Sequence, residues 1–235
     1  MHRHSLRLVS IWLASALLSS FVSAEGLRSP SQTLGLPENR LEVLAAVEPG
    51  SDAGRYRFRR TTVDEAVVEL RLPEVGPADL VPGSSWWVGF SELKRQPPDP
   101  RTFVRDPDGP RVLLLEGVGA ALFPATPAVG KVLGALGVGD EDAVAAVGER
   151  LSAVIDLLAA PQENLRRLAA SEVGLDARLW RGLSAELLQS LGRAFAASSP
   201  EPYVRYRLLE AGRGAVAAGV GGASSAAAEW ARRAL

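Results

Sequence analysis

The sequence predicts an α+β protein, with a β-rich N-terminal half built on an antiparallel or mixed sheet and a helical C-terminal half. Strict apolar/polar alternation between residues 55 and 72 carries the first part of that reading. A change to helical spacing after Asp140 carries the second. The third is composition: 235 residues, 47% hydrophobic and 23% charged with a formal net charge of −1, which belongs to a globular chain long enough to bury a core.

In chain order, "MHRHSLR" is a basic start, Leu8–Val22 is an apolar run, and "VSA" ends on small residues. That layout predicts a secretory signal peptide over residues 1–24, cut after Ala24. The run falls short of the roughly 20 apolar residues that a spanning helix needs. Residues 25–40, polar with Pro and Gly, read as a flexible linker.

Residues 41–120 form the β-rich region. In "RYRFRR" Tyr56 and Phe58 share one face, and Arg55, Arg57 and Arg59 share the other. In "EAVVELRL" Ala66, Val68, Leu70 and Leu72 oppose Glu65, Val67, Glu69 and Arg71, so the two stretches suit a hairpin through "TTVD" with arginines facing glutamates outside. The second stretch also fits a short helix. "SSWWVGF" and "RVLLLEGV" read as further strands, the latter apolar throughout and therefore central. Between them "RQPPDPRTFVRDPDGP" is a proline-rich loop. Residues 121–139 form an apolar Gly/Pro connection.

Residues 140–235 are the helical region. Asp140 caps a stripe of Val144, Val147, Leu151, Val154, Ile155 and Leu158. Pro161 opens a second helix, "DARLWRGLSAELLQSLGRAF" continues as a third, Ser199–Pro200 starts a fourth that ends at Gly212, and "AAAEWARRAL" closes the chain.

Chemistry is narrowed by what is missing. There is no cysteine, and the two histidines, His2 and His4, lie in the leader. Once the leader is removed, imidazole and thiolate nucleophilic systems and the usual zinc ligand sets are excluded. Paired carboxylates, a Ser–Lys pair, Tyr or Arg, and oxygen-only calcium or magnesium sites remain. The near-neutral charge gives no electrostatic reason for a nucleic-acid partner.

Several short patterns have a plain structural reading beside a chemical one. Ser91 and Lys94 have the Ser–x–x–Lys spacing of acyl-transfer enzymes, which needs a helical turn to bring amine and hydroxyl together. They are the remote catalytic candidates. "ATPAVGKV" lacks the hydroxyl after Lys131 that a phosphate loop uses for Mg²⁺, and "GVGAAL" lacks the third glycine of a dinucleotide turn. "DPDG" at 106–109 is a turn rather than a calcium loop. Tyr203, Arg205, Tyr206 and Arg207 form a second arginine–tyrosine cluster after the one at Tyr56–Phe58. Trp86 points to the core with Val88 and Phe90; Trp87 falls on the other face beside Gly89, either covered by the C-terminal helices or open for stacking.

The expected function is an exported, non-enzymatic binding or assembly module of an envelope or lumen. It would recognise an anionic or sugar-like ligand through Trp87, Arg57 and Arg59. Its partner would be a polysaccharide, an anionic lipid surface or an envelope protein, with no cofactor and no metal. The alternatives are a carboxylate-dependent hydrolase or lyase and a peripheral lipid-surface protein.

Overall fold

The computed structural model describes residues 27–50, 54–61, 65–73, 80–91, 93–95, 103–105, 109–134, 143–198 and 200–234. The leader, the "TTVD" turn from Thr62 on, most of the proline-rich loop and the 140–142 acids lie outside the described residues. A β-rich N-terminal half with a mixed sheet is followed by helices, as the sequence predicts.

The sheet is built from β1 (Asn39–Pro49), β2 (Arg55–Arg60), β3 (Val67–Arg71), β4 (Ser85–Ser91), β7 (Arg111–Val112) and β10 (Leu122–Pro124). Between these lie two small ladders: β5 (Leu93–Arg95) with β6 (Phe103–Arg105), and β8 (Leu114–Leu115) with β9 (Gly119–Ala120). The neighbour order is β1-β2-β3-β7-β4, and β4 pairs back to β1. Five strands therefore close a ring. Strands β4-β1-β2-β3 have the Greek-key order, in which a fourth strand returns by a long connection to lie beside the first. The ring closes through a parallel contact, Arg71 opposite Arg111.

One strand serves two neighbours because it bends. The first half of β1 pairs with β4 from Asn39–Ser91 to Ala45–Ser85, and the second half pairs with β2 from Leu44–Arg60 to Pro49–Tyr56. An irregularity between Ala46 and Glu48 adds the local twist that turns the strand from one partner to the other. Leu44, Phe58, Leu70, Trp86, Val88, Phe90 and Val112 line the interior and are buried. The Trp86 indole N–H donates to Ser84 Oγ at 2.7 Å, so its one polar atom is satisfied.

Helices cover the outer face on the β4–β10 side. α1 (Pro30–Leu34) places Leu34 over Gly89, where a Cβ would come within 2.2 Å of the Leu34 Cδ2. α2 (Pro127–Gly134) lays Gly130 against the Trp87 ring. The rest are α3 (Ala143–Leu158), α4 (Glu163–Leu175), α5 (Ala177–Arg181), α6 (Ala185–Ala197), α7 (Pro202–Ala217) and α8 (Ala223–Ala234). Their buried residues and those of the barrel form one continuous core. Among the described residues no helix is long and apolar enough to cross a membrane.

Several boundaries differ from the sequence reading. Part of the 25–40 linker is a docked helix: Ser29 accepts from the Gln32 N–H, the Gln32 side chain accepts from the Ser29 N–H, and Pro30, Ser31 and Leu34 are buried. "RVLLLEGV" is not one central strand. It splits into β7 and β8, with Leu114 64% exposed. The 121–139 connection carries β10 and α2. The second helix begins at Glu163, two residues past Pro161. "DARLWRGLSAELLQSLGRAF" breaks at Gly182 because Asp176 caps α5 and Ser184 caps α6, each accepting a backbone N–H. α7 runs through Gly212 to Ala217. Its glycines are close-packing positions rather than a stop: a Cβ at Gly214 would lie 2.2 Å from the Trp180 ring, and one at Gly212 would lie 2.9 Å from Trp230.

α4 and α7 meet at a comparable contact. A Cβ on Gly174 would stand 2.7 Å from the Arg207 carbonyl oxygen, which is backbone and cannot swing aside. Gly174→Ala should therefore destabilise the protein by about 1–3 kcal/mol through overpacking, against a helix-propensity gain of at most about 1 kcal/mol. Urea unfolding should show the midpoint moving down; an unchanged or higher midpoint would mean that the helices separate at little cost.

Candidate functional site

Alternation in β2 and β3 builds the first candidate surface. With Tyr56, Phe58 and Leu70 inside, Arg55, Arg57, Arg59, Val67, Glu69 and Arg71 point out. Register sets Arg57 opposite Glu69, Arg55 opposite Arg71, and Arg59 between Ala45 and Val67. Arg57 pairs with Glu48, and Arg55 lies 3.6 Å from Glu69. Arg59 is exposed and has no partner among the described residues. The four outward arginines of β2 and β3 stand against Glu69 and the Glu48 that Arg57 binds, with exposed Glu65 just before β3, so the described residues carry a surplus of positive charge there. Residues two apart on a strand are about 7 Å apart, so Arg55, Arg57 and Arg59 form a straight row.

Trp87 also faces outward from the ring but not in that row. It pairs with Val43 on β1 and Phe123 on β10, two strands from Arg59. It is half-buried, with its ring against Gly130 of α2, where a Cβ would come within 3.1 Å of the indole. The cover comes from the segment read as a connection, and it leaves Trp87 partly exposed.

Ser91 ends β4, its Oγ donating to the Glu38 carbonyl at 3.1 Å, while Lys94 lies in β5. The two sit on extended chain instead of one helical turn, and the helical arrangement that Ser–Lys chemistry needs is not formed. Lys131 of the phosphate-loop-like stretch sits inside α2 and pairs with Glu149 at 3.2 Å.

Sequence reasoning missed the densest polar cluster. Arg150 on α3 reaches Glu172 on α4 and Asp176 at the α4–α5 junction, the latter at 2.9 Å. Ser31 of α1 completes it: its N–H and Oγ both donate to Glu172, and Arg150 donates to its Oγ at 2.6 Å. Arg178 adds a further bond to Asp176 at 2.7 Å. Arg150, Glu172, Asp176 and Ser31 are all buried. The signal was present. Leu165, Leu168, Glu172 and Asp176 follow helical spacing, as do Val147, Arg150, Leu151 and Val154, so charges occupy stripe positions. With Glu172 wholly buried and both carboxylates held by Arg150, a substrate has no access, and the cluster is structural.

Its two acids are pushed in opposite directions. Burial raises Glu172 above its ordinary 4.5, against the attraction of Arg150 and the bonds from Ser31. Burial also works to raise Asp176, but the Arg178 bonds and the Arg150 charge outweigh it and hold that carboxyl below 3.8.

The second arginine–tyrosine cluster is likewise structural in part. Tyr203 OH shares a hydrogen bond with Ser171 at 2.8 Å, donates to the Glu116 carbonyl at 3.0 Å and accepts from Arg207 Nε at 3.1 Å. Arg207 is buried and also donates to Glu210 at 2.7 Å. Two hollows lie nearby. One, of about 510 Å³, runs between α6 and α8 past Trp230; the other, of about 250 Å³, lies between the α1 segment, β8 and Arg207. Among the described residues no group of three His, Cys, Asp or Glu side chains could hold a metal ion. No family model, curated protein or solved structure matches this chain.

Stability should carry the mark of Glu172. Because its folded-state pKa is raised, the native state binds more proton than the unfolded chain between 4.5 and that raised value, so stability rises as pH falls through this window. Comparing unfolding free energies of the wild type and Glu172→Gln across pH 4.5–8 should show the wild type losing ground to the variant as pH rises. A difference that is flat with pH would contradict the assignment.

Proposed function

We propose that the protein is an exported, non-enzymatic binding module that takes an acidic polysaccharide along the outer face of β2 and β3. The observation that carries this reading is the straight row of Arg55, Arg57 and Arg59 with its surplus of positive charge and the exposed Arg59 guanidinium, which has no partner among the described residues. A row with a repeat of about 7 Å suits a polymer bearing carboxylate or sulfate groups at intervals, and planar guanidinium forks bind such oxyanions in pairs of hydrogen bonds. Exposed Val67 offers an apolar spot against which a sugar ring packs. Partly exposed Trp87 flanks the row across β1 and supplies a stacking surface. Export is supported by the basic start, the Leu8–Val22 run and the small residues before Glu25.

Arg59→Glu tests this directly, because an exposed residue on a strand can change sign without disturbing the core. Affinity for polygalacturonate or heparin, measured by calorimetry, should fall at least about tenfold, corresponding to about 1.4 kcal/mol. Binding should weaken with added salt, neutral dextran should not bind, and the melting temperature should stay unchanged. Equal binding of dextran, or an unchanged affinity for the acidic polymers, would remove the arginine row from the function.

A further inference from the structure

The smaller hollow is lined by apolar and polar side chains in about equal measure. Leu27 is 40% exposed and Leu114 is 64% exposed, and they meet there with Leu36. Two of the large hydrophobics that the described residues leave open thus border one cavity, which is more than scattered surface leucine needs to explain. The same lining carries Arg28, Arg207 and Glu116, a net charge of +1.

Arg207 makes this more than a greasy dent. Only 3% exposed, it is held from two sides: Nε donates to Tyr203 OH and Nη1 to Glu210, with the guanidinium over the Tyr203 ring at 5.2 Å and the Tyr206 ring at 5.5 Å. Its Nη2 donates to no atom of the described residues, and Arg207 lines the cavity. A buried guanidinium locked in place with a donor left over is pre-organised for an anion. Arg28, exposed and without a partner among the described residues, stands at the same opening as a second cation.

We propose that this cavity binds a small carboxylate with a short aliphatic tail, the head on Arg207 and Arg28 and the tail along Leu27, Leu36 and Leu114. The size fits such a ligand: at about 30 Å³ per water-sized unit, 250 Å³ holds about eight non-hydrogen atoms, the number in hexanoate. Glu116 at the rim disfavours dianions, which selects a monocarboxylate over a phosphate monoester. The site is separate from the β2–β3 face and stands whether or not that face binds polysaccharide.

Titration of the protein with hexanoate, hexylamine and hexanol, followed by NMR shifts of residues 27–36 and 114–116, tests the site. Hexanoate should saturate, with the amine at least tenfold weaker and the alcohol intermediate. Leu114→Glu and Arg28→Glu alter exposed positions and should each weaken hexanoate at least fivefold while leaving the unfolding midpoint in place. Arg207→Gln should abolish binding, and the two exposed variants keep the test valid should that one fail to fold. Absence of saturation at millimolar hexanoate, equal binding of the amine, or indifference to both exposed substitutions would overturn the proposal. Saturation by inorganic phosphate at comparable concentration would overturn the assignment to a monocarboxylate.

Discussion

The structure turns on one buried ion cluster. Arg150, from the first long helix of the helical layer, is placed between Glu172 and Asp176, and Ser31 binds the same carboxylate from the N-terminal segment. The N-terminal segment, α3 and the α4–α5 junction therefore share one polar centre. Removing charges from water costs several kcal/mol each, and the attraction between them returns this only when geometry and hydrogen bonds are complete. Such a cluster adds little net stability over apolar packing. It does penalise any arrangement in which one member is displaced, since that leaves a buried charge uncompensated. Its contribution is to specify how α1, α3, α4 and α5 meet.

That constraint reaches the barrel through α1. The short helix is held to α4 by Ser31 and presses Leu34 onto Gly89 of β4, while α2 lays Gly130 on Trp87 of the same strand. Helices thus cover the outer surface on the β4–β10 side and leave that of β2 and β3 to solvent. The arginine row is left partly open, and Arg59 exposed, because the helical layer is occupied on the opposite side of the ring. The α1 segment also supplies one wall of the small cavity, so both candidate binding surfaces depend on how this segment docks.

The local patterns were readable where a strand or helix has one buried face. Alternation in "RYRFRR" placed Tyr56 and Phe58 inside and the arginines outside, and the Trp86/Trp87 split followed from the same rule. β1 gave no such signal, because Leu44 and Ala46 face the barrel interior while Leu41 packs into the core from the other side. Ring closure was beyond reach. It rests on two-residue β7 and a parallel contact with β3, and pairings across such separations leave no trace in local spacing. Gly212 reads as a helix end and Gly182 as helix interior, yet the break falls at Gly182, while Gly212 and Gly214 admit tryptophan rings. The ion cluster was visible in principle as Glu172 and Arg150 on apolar stripes, and "SPSQ" held a capping box. A five-residue helix is too short to show a stripe, so that box went unread.

Amide hydrogen exchange in residues 29–35 tests the central claim most directly. The Ser31 N–H donates to Glu172, and the Thr33 and Gly35 N–H groups donate to Ser29 and Ser31 carbonyls. If the cluster locks the segment onto the helical layer, these amides exchange only with the opening that exposes Leu168 and Val173 in α4, and with similar protection. Exchange of Ser31 near the rate of a free peptide, while α4 stays protected, would show that the segment is not held and that the cluster does not organise the fold.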